Sequence, residues 1–235
     1  GPEFVRALVR ARDAVYPLRD RYITDPDFAA APRAPFLDPA IDGGGGGERL
    51  PEGDTVYLCV VDAEGTVVSL IQSVAGTFGS GVFAPGTGVL LQNRGKYFSL
   101  EEGHVNRLEP RKRTMHTLIP ALAARDGRCW AAFGSMGADG QPQIQAQLLA
   151  ALSDRGLGPG AAVAEPRVRV VSGGGRLWVE ADHAAARELL RSELEVELLP
   201  PRDSRLGHAQ ALVADGPGRW QAGADPRSDG SVVQA

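Results

Sequence analysis

Glu52-Gly53-Asp54-Thr55-Val56-Tyr57-Leu58 is the stretch on which the reading of the fold turns. Before it, Asp42 to Pro51 is turn-rich and holds five consecutive glycines, Gly43 to Gly47. After it the chain becomes strand-like at once: Tyr57-Leu58-Cys59-Val60-Val61, a turn at Asp62 to Gly65, then Thr66-Val67-Val68-Ser69-Leu70-Ile71. A polar, glycine-rich segment thus delivers one threonine to the start of a buried strand. The commoner meaning of such a junction is a loop entering a strand. The sharper one is a cut between Asp54 and Thr55, which would free an α-amine on the same Cα as a nucleophilic hydroxyl.

Upstream, Glu3 to Tyr22 reads as a helix, with Phe4, Val5, Leu8, Val9, Val15 and Leu18 on one side and arginines on the other. Pro17 is expected to bend this helix or end it early, because a helix-interior proline lacks a donor and crowds the preceding turn. Asp25-Pro26-Asp27 and the prolines at 32, 35 and 39 then make an extended surface segment. Downstream, the first strand of the Val56 to Ile71 unit is almost wholly apolar, which calls for a sheet covered on both faces. Gly76 to Gly88 is a run of tight turns whose glycine spacing is wrong for a nucleotide fingerprint. Val89 to Leu91, Leu118 to Ala124 and Arg128 to Phe133 read as strands, the last closing on Gly134-Ser135-Met136-Gly137. Phe133 occupies the first glycine position of a Gly-x-Ser-x-Gly elbow and excludes it. Pro142 to Asp154 reads as a helix, and Pro166 to Val171 pairs with Arg176 to Glu180 across Gly173 to Gly175. Asp182 is placed to cap a helix running to Leu190, and Leu194 to Leu199 and Ala209 to Ala214 are two more strands. The sum is about eight strands and three helices in layers.

The 235 residues are 43% hydrophobic and 23% charged, the make-up of a soluble globular chain. A net charge of −4 gives no footprint for nucleic acid, and no apolar run is long enough for a membrane helix. Gly1 to Arg10 lacks the basic-then-apolar layout of a secretory leader, which tips the expectation toward the cytoplasm. Cys59 and Cys129 lie in apolar strand contexts and read as buried free thiols rather than a disulfide. His104, His116, His183 and His208 are scattered without ligand spacing, so neither metal nor cofactor is expected.

Taken together, Thr55 to Asp62, Phe78-Gly79-Ser80-Gly81, Leu91-Gln92-Asn93, Phe98-Ser99, Lys112-Arg113, Gly134-Ser135-Met136-Gly137 and Asp225-Pro226-Arg227-Ser228 resemble the γ-glutamyltransferase family, in its order and spacing. Thr55 to Ala235 matches that family's small subunit. Arg19-Asp20-Arg21-Tyr22 with Asp25-Pro26-Asp27-Phe28 looks like the last part of its large subunit. The resemblance implies an N-terminal-nucleophile hydrolase of class α+β, a four-layer αββα sandwich. The sandwich is partial here, because most of the large subunit is absent from this chain. It also implies two parts: residues 1–54, the C-terminal piece of the large subunit with its glycine-rich linker, and residues 55–235, the catalytic small subunit. Proenzymes of the family cut themselves before the threonine, which makes Asp54 and Thr55 the cleavage junction. Thr55 then acts as nucleophile and, through its new amine, as base. Ser73 falls where the family has a supporting hydroxyl, and Gly137 and Ala138 fall where a Gly-Gly pair offers oxyanion N–H donors. Alanine at 138 keeps the donor but narrows its choice of φ.

The departures are informative. An Asn that helps hold the glutamyl group falls at Ala75. The Gln and Asp that grip the substrate α-amine fall at Arg94 and Tyr97, and the Ser-Ser pair for the α-carboxylate falls at His116-Thr117. A cation and a phenol in place of an acidic clamp would repel the ammonium that transferases recognise. Gln92-Asn93-Arg94-Gly95 with His116-Thr117 looks instead like the acylase-like branch of the family. Two readings of Arg94 stand: a bidentate partner for a substrate carboxylate, or a partner for Glu101 or Glu102. His116 is a substrate contact or a wall residue, while Tyr97 and Phe98 pack the pocket lid. The expectation is an autoprocessing amidohydrolase or acylase without γ-glutamyl specificity, acting on a small acyl amide or carboxylate-bearing substrate. The remaining large-subunit segment or a partner chain would complete it. Two alternatives stand beside it: a specialised-metabolism hydrolase, as in antibiotic pathways, that cleaves a C–C bond next to a carbonyl, and a non-catalytic remnant.

Overall fold

The computed structural model describes residues 1–38, 40, 41 and 54–234, so the glycine run Gly43 to Gly47 lies outside the described residues. In chain order the elements are α1 (Pro2–Tyr22), β1 (Asp54–Val61), β2 (Val67–Ala75), β3 (Phe83–Ala84), β4 (Val89–Leu90), β5 (Ala121–Arg125), β6 (Arg128–Ser135), α2 (Gln141–Ser153), α3 (Pro159–Ala164), β7 (Val168–Val170), β8 (Arg176–Glu180), α4 (Ala186–Leu189), β9 (Glu195–Leu199), β10 (Ala209–Ala214) and β11 (Trp220–Ala224).

β1 and β2 form an antiparallel pair, with Leu58 opposite Leu70 and Val60 opposite Val68. Their turn is closed by the Asp62 carboxylate, which accepts from the Thr66 N–H at 2.7 Å. Side chains alternate with the pleat, so one face of the pair is inward and the other outward. Tyr57 points inward and is buried, whereas Val56, Leu58, Val60, Val68 and Leu70 are all exposed. The apolar composition calls for a sheet covered on both faces, and the described residues of this chain supply one of the two covering layers.

The inward face rests on a four-stranded antiparallel sheet of order β11-β10-β6-β5. Contact is closest at Gly134, where a Cβ would stand 2.4 Å from the Tyr57 ring, so only glycine lets the two sheets meet. On the other side of the four-stranded sheet lie α2 and α3. Leu148, Ala151, Leu152, Ala162 and Val163 pack there against Ala131, Phe133, Ala209 and Ala211. The layering is therefore helix, sheet, sheet, with the last sheet bare on its outer face. β11 and α3 have no counterpart in the sequence reading. Gly223, in β11, is what lets α3 approach: a Cβ at 223 would meet the Pro159 carbonyl carbon at 2.5 Å.

A second unit packs α1 and α4 with the sheet β7-β8-β9, around Val5, Val168, Val170, Leu177, Val179, Ala186 and Leu189. α1 runs unbroken through Pro17 to Tyr22, contrary to expectation. Tyr16 and Arg19 both bond to Asp139, one on each side of the proline, and these anchors hold the helix where its own ladder lacks a bond. The helix foreseen from Asp182 is confined to α4, because the His183 ring accepts the Ala185 N–H at 3.1 Å and keeps the segment in turns. β5 begins at Ala121 rather than Leu118, just past Pro120. Asp225-Pro226-Arg227 joins the two units through a buried ion network. Arg167 pairs with Asp225 at 2.6 Å, and Arg227 pairs with Asp225 at 3.0 Å and Glu180 at 2.5 Å. Cys59 and Cys129 are free and half-buried. Among the described residues no helix is long and apolar enough to cross a membrane.

Candidate active site

Three hairpin tips locate the site. The β1–β2 turn, the β5–β6 turn and the β10–β11 turn line one open groove through Asp62 to Gly65, Arg125 to Cys129 and Ala214 to Trp220. Thr55, at the opposite end of β1, therefore lies where β6 ends at Ser135 and the chain turns through Met136, Gly137 and Ala138. In the continuous chain Thr55 is joined to Asp54 inside β1, so its nitrogen is a peptide N–H. Asp54 pairs with Ala75 and Val56 with Gln72, which leaves Ser73 and Val74 opposite Thr55 alone. This bulge sharpens the local twist and brings Ser73 alongside the threonine. The Ser73 hydroxyl accepts the Ala75 N–H at 3.0 Å, and Ala75 adopts a left-handed φ of 72°.

The turn after β6 is shaped to present backbone donors. Gly137 has φ 138° and Ala138 φ 46°, and the Gly140 N–H closes on the Gly137 carbonyl at 2.8 Å. Among the described residues neither the Gly137 nor the Ala138 N–H has a protein acceptor. Successive unpaired N–H groups of this kind form an anion-binding concavity. Alanine at 138 has taken up the left-handed conformation that its Cβ disfavours, so the departure from Gly-Gly leaves the turn in place. Glycine suits position 137 because its φ of 138° is one that L side chains rarely adopt. Beside the turn, the Ser135 hydroxyl and both amide atoms of Gln141 are buried with no partner among the described residues. Sequence reasoning quoted Ser135 without a role and passed over Gln141, for which the available signal was a glutamine opening a helix directly after the glycine turn.

On the far side of Thr55, Asn93 is the link that sequence reasoning quoted without a role. Its N–H donates to the Val74 carbonyl at 3.1 Å, and its side-chain oxygen accepts the Gly76 N–H at 2.8 Å. The loop carrying Arg94 is thereby fastened to the end of β2 that faces Thr55. Arg94 is 8% exposed, its Nη1 has no partner, and its guanidinium carbon is 5.5 Å from the Tyr97 ring centre. Burial lowers its pKa. Glu102 pairs with Arg107 at 3.9 Å, and among the described residues no carboxylate pairs with Arg94. Of the two readings of Arg94, the one through Glu101 or Glu102 is set aside. His116 sits close enough to feel this cation: partial burial and then the Arg94 charge lower its pKa, which favours the neutral ring. Its Nδ1 accepts the Leu118 N–H at 3.2 Å, so the neutral ring carries its proton on Nε2, as a second donor beside Arg94. Thr117 is buried next to it, and Tyr97 is buried beneath Arg94. Thr55 near the start of β1, the turn after β6 and the Asn93–Arg94 loop beyond β2 thus lie toward the end of the paired sheets opposite the hairpin tips.

This layering, with a threonine heading the inner strand, is the α+β fold of the N-terminal-nucleophile hydrolases, of which the chain forms a part. The family model described as Gamma-glutamyltranspeptidase matches residues 2–235. A cephalosporin acylase from Bacillus halodurans superposes with a TM-score of 0.85 at 32% identity, over 99% of this chain and 45% of that one. The glutathione hydrolase-like YwrD proenzyme of Bacillus subtilis is 40% identical over 98% of this chain and 47% of its own length. The oxamate amidohydrolase proenzyme of Klebsiella pneumoniae is 38% identical over 97% of this chain and 47% of its own length. The chain belongs to the gamma-glutamyltranspeptidase family, on its acylase-like side, and spans about half the length of the curated relatives it matches.

Proposed function

We propose that this chain carries the catalytic centre of an autoprocessing N-terminal-threonine amidohydrolase. Its substrate would be a small acyl amide bearing a carboxylate rather than a γ-glutamyl group. Residues 1–54 are the end of the upstream subunit and residues 55–235 the catalytic one. The observation that carries the reading is the buried Arg94 guanidinium, which has no carboxylate partner among the described residues and is fastened through Asn93 to the strand end facing Thr55. In the first step the Thr55 hydroxyl attacks the Asp54 carbonyl and the peptide bond shifts to an ester. Water then hydrolyses the ester and leaves Thr55 with a free amine. In the second step that amine takes the hydroxyl proton as the oxygen adds to the substrate carbonyl. The oxyanion is received by the Gly137 and Ala138 N–H groups, with Ser73 supporting the nucleophile. The proton passes to the leaving amine, and water releases the acyl group from Thr55. Arg94 and the His116 Nε2–H would hold the carboxylate, with Tyr97 and Thr117 as walls. An α-ammonium would meet the Arg94 charge instead, and oxamate, the substrate named for the Klebsiella relative, is itself a carboxylate-bearing amide.

The bare outer face of β1 and β2 fits a covering layer from the rest of the upstream subunit. The test is intact-mass measurement on the full-length protein. It should release a fragment beginning at Thr55, about 19 kDa of the 24.8 kDa that residues 1–235 weigh, and Thr55→Ala should stay whole. A wild-type protein that remains uncut on long incubation would sink the proposal.

A further inference from the structure

The turn that presents the Gly137 and Ala138 N–H groups is gripped from outside, by residues on the other side of the cut. Tyr16, in α1, is buried, and its hydroxyl donates to the Asp139 carbonyl at 2.5 Å. Arg19, one turn further along α1, pairs with the Asp139 carboxylate, whose other oxygen accepts the Ser172 hydroxyl at 3.1 Å. Asp139 itself is 2% exposed. The Tyr16 ring is clasped between guanidinium groups, with Arg12 and Arg19 each 4.4 Å from its centre, and Gln143 reaches its oxygen at 3.4 Å. Asp139 follows directly on Ala138, whose left-handed φ of 46° an alanine adopts only where its surroundings hold it. Both backbone and side chain of Asp139 are thus tied, and the ties that come from α1 lie upstream of Asp54.

We infer that Tyr16 and Arg19 are positioning residues: from the upstream segment they grip Asp139 and hold the adjoining Gly137–Ala138 donors in place for the reaction. The inference rests on the reading of that turn as the oxyanion site. Without α1, the Ser172 hydroxyl would be the one side-chain tie left on Asp139 among the described residues. Neither residue touches the reacting atoms; each acts through Asp139.

Hydrogen exchange on the full-length protein tests the grip without reference to any substrate. The variants are Tyr16→Phe, which keeps the ring between its two arginines, and Arg19→Gln. The amides of Gly140 and Gln141, which close on the Gly137 and Ala138 carbonyls, should exchange about 10-fold faster in both variants, with β7 and β8 unchanged. Unchanged exchange at the turn, or a uniform rise across the protein, overturns the inference. Turnover of N-succinyl-p-nitroanilide then separates positioning from plain instability. In Tyr16→Phe, kcat should fall roughly 10–100-fold with KM within about 2-fold of wild type. Val213→Ala, which weakens the core near the β10–β11 tip and away from α1, should leave kcat within about 2-fold. Equal losses of kcat in Tyr16→Phe and Val213→Ala would overturn the positioning role. A wild type that cuts itself yet ignores this anilide counts against the substrate class alone, and the exchange result still decides on the grip.

Discussion

Arg94 holds a charge under cover that no carboxylate among the described residues neutralises, and a buried donor without a partner costs about 1–3 kcal/mol. Such a cost persists where a ligand meets it during function. Arg94→Ala should therefore raise KM for N-succinyl-p-nitroanilide roughly 10–100-fold, the worth of a charge-assisted pair, while a neutral acyl anilide is affected far less. Steady-state kinetics on both compounds checks this. Arg94→Lys should recover only part of the loss, because an ammonium cannot make the bidentate fork. The residue was legible in the sequence as a cation where the family has an acidic clamp. Its partner was not legible, since Glu101 and Glu102 are near in sequence and only the folded loop turns Glu102 toward Arg107. Tyr16 was less legible still. It read as one more residue in a helix, and its role depends on a carbonyl 123 positions away.

Among the elements, the loop after α1 is tied to Arg113 by two carboxylates, the exposed Asp27 at 2.9 Å and the buried Asp25. Asp25 accepts from the Arg113 N–H at 2.7 Å and the Arg113 guanidinium at 2.9 Å, and also from the Asp27 N–H at 3.1 Å. Hydrogen bonds from Arg113 hold its carboxyl well below the usual range of 3.8. A depressed folded pKa means that the stabilisation is complete above the unfolded value and is lost as pH falls toward the folded one. Wild type should thus lose stability faster than Asp25→Asn between about pH 4 and pH 2, and the gap between them should shrink. Urea midpoints across that range measure it. At this scale the sequence reading placed the strand–turn–strand unit and the α2 helix well, because their periodicity is local. It misjudged Pro17, where anchors to Asp139 outweigh one missing ladder bond. It also missed β11, where a glycine that weakens a strand in isolation admits a helix in the fold.

The whole molecule is two packed units joined by buried charges and left open on one face. Arg227, Glu180, Asp225 and Arg167 are all buried, so removing one charge strands the others. Arg227→Met should destabilise the protein by about 3–5 kcal/mol in denaturant titration. The exposed pair Arg155–Glu165 is the control, and Arg155→Met should cost about 0–1 kcal/mol. The sequence showed Asp225-Pro226-Arg227 as a family motif, without its partners. By itself the sequence determined the elements around Asp54-Thr55 and the family, because periodicity, motif spacing and residue type belong to short stretches. Only the tertiary structure decided which arginine lacks a counter-charge among the described residues, which face of β1 is bare and how α1 bonds to Asp139. Those are contacts between distant segments, set by packing and charge pairing, and no local pattern encodes them.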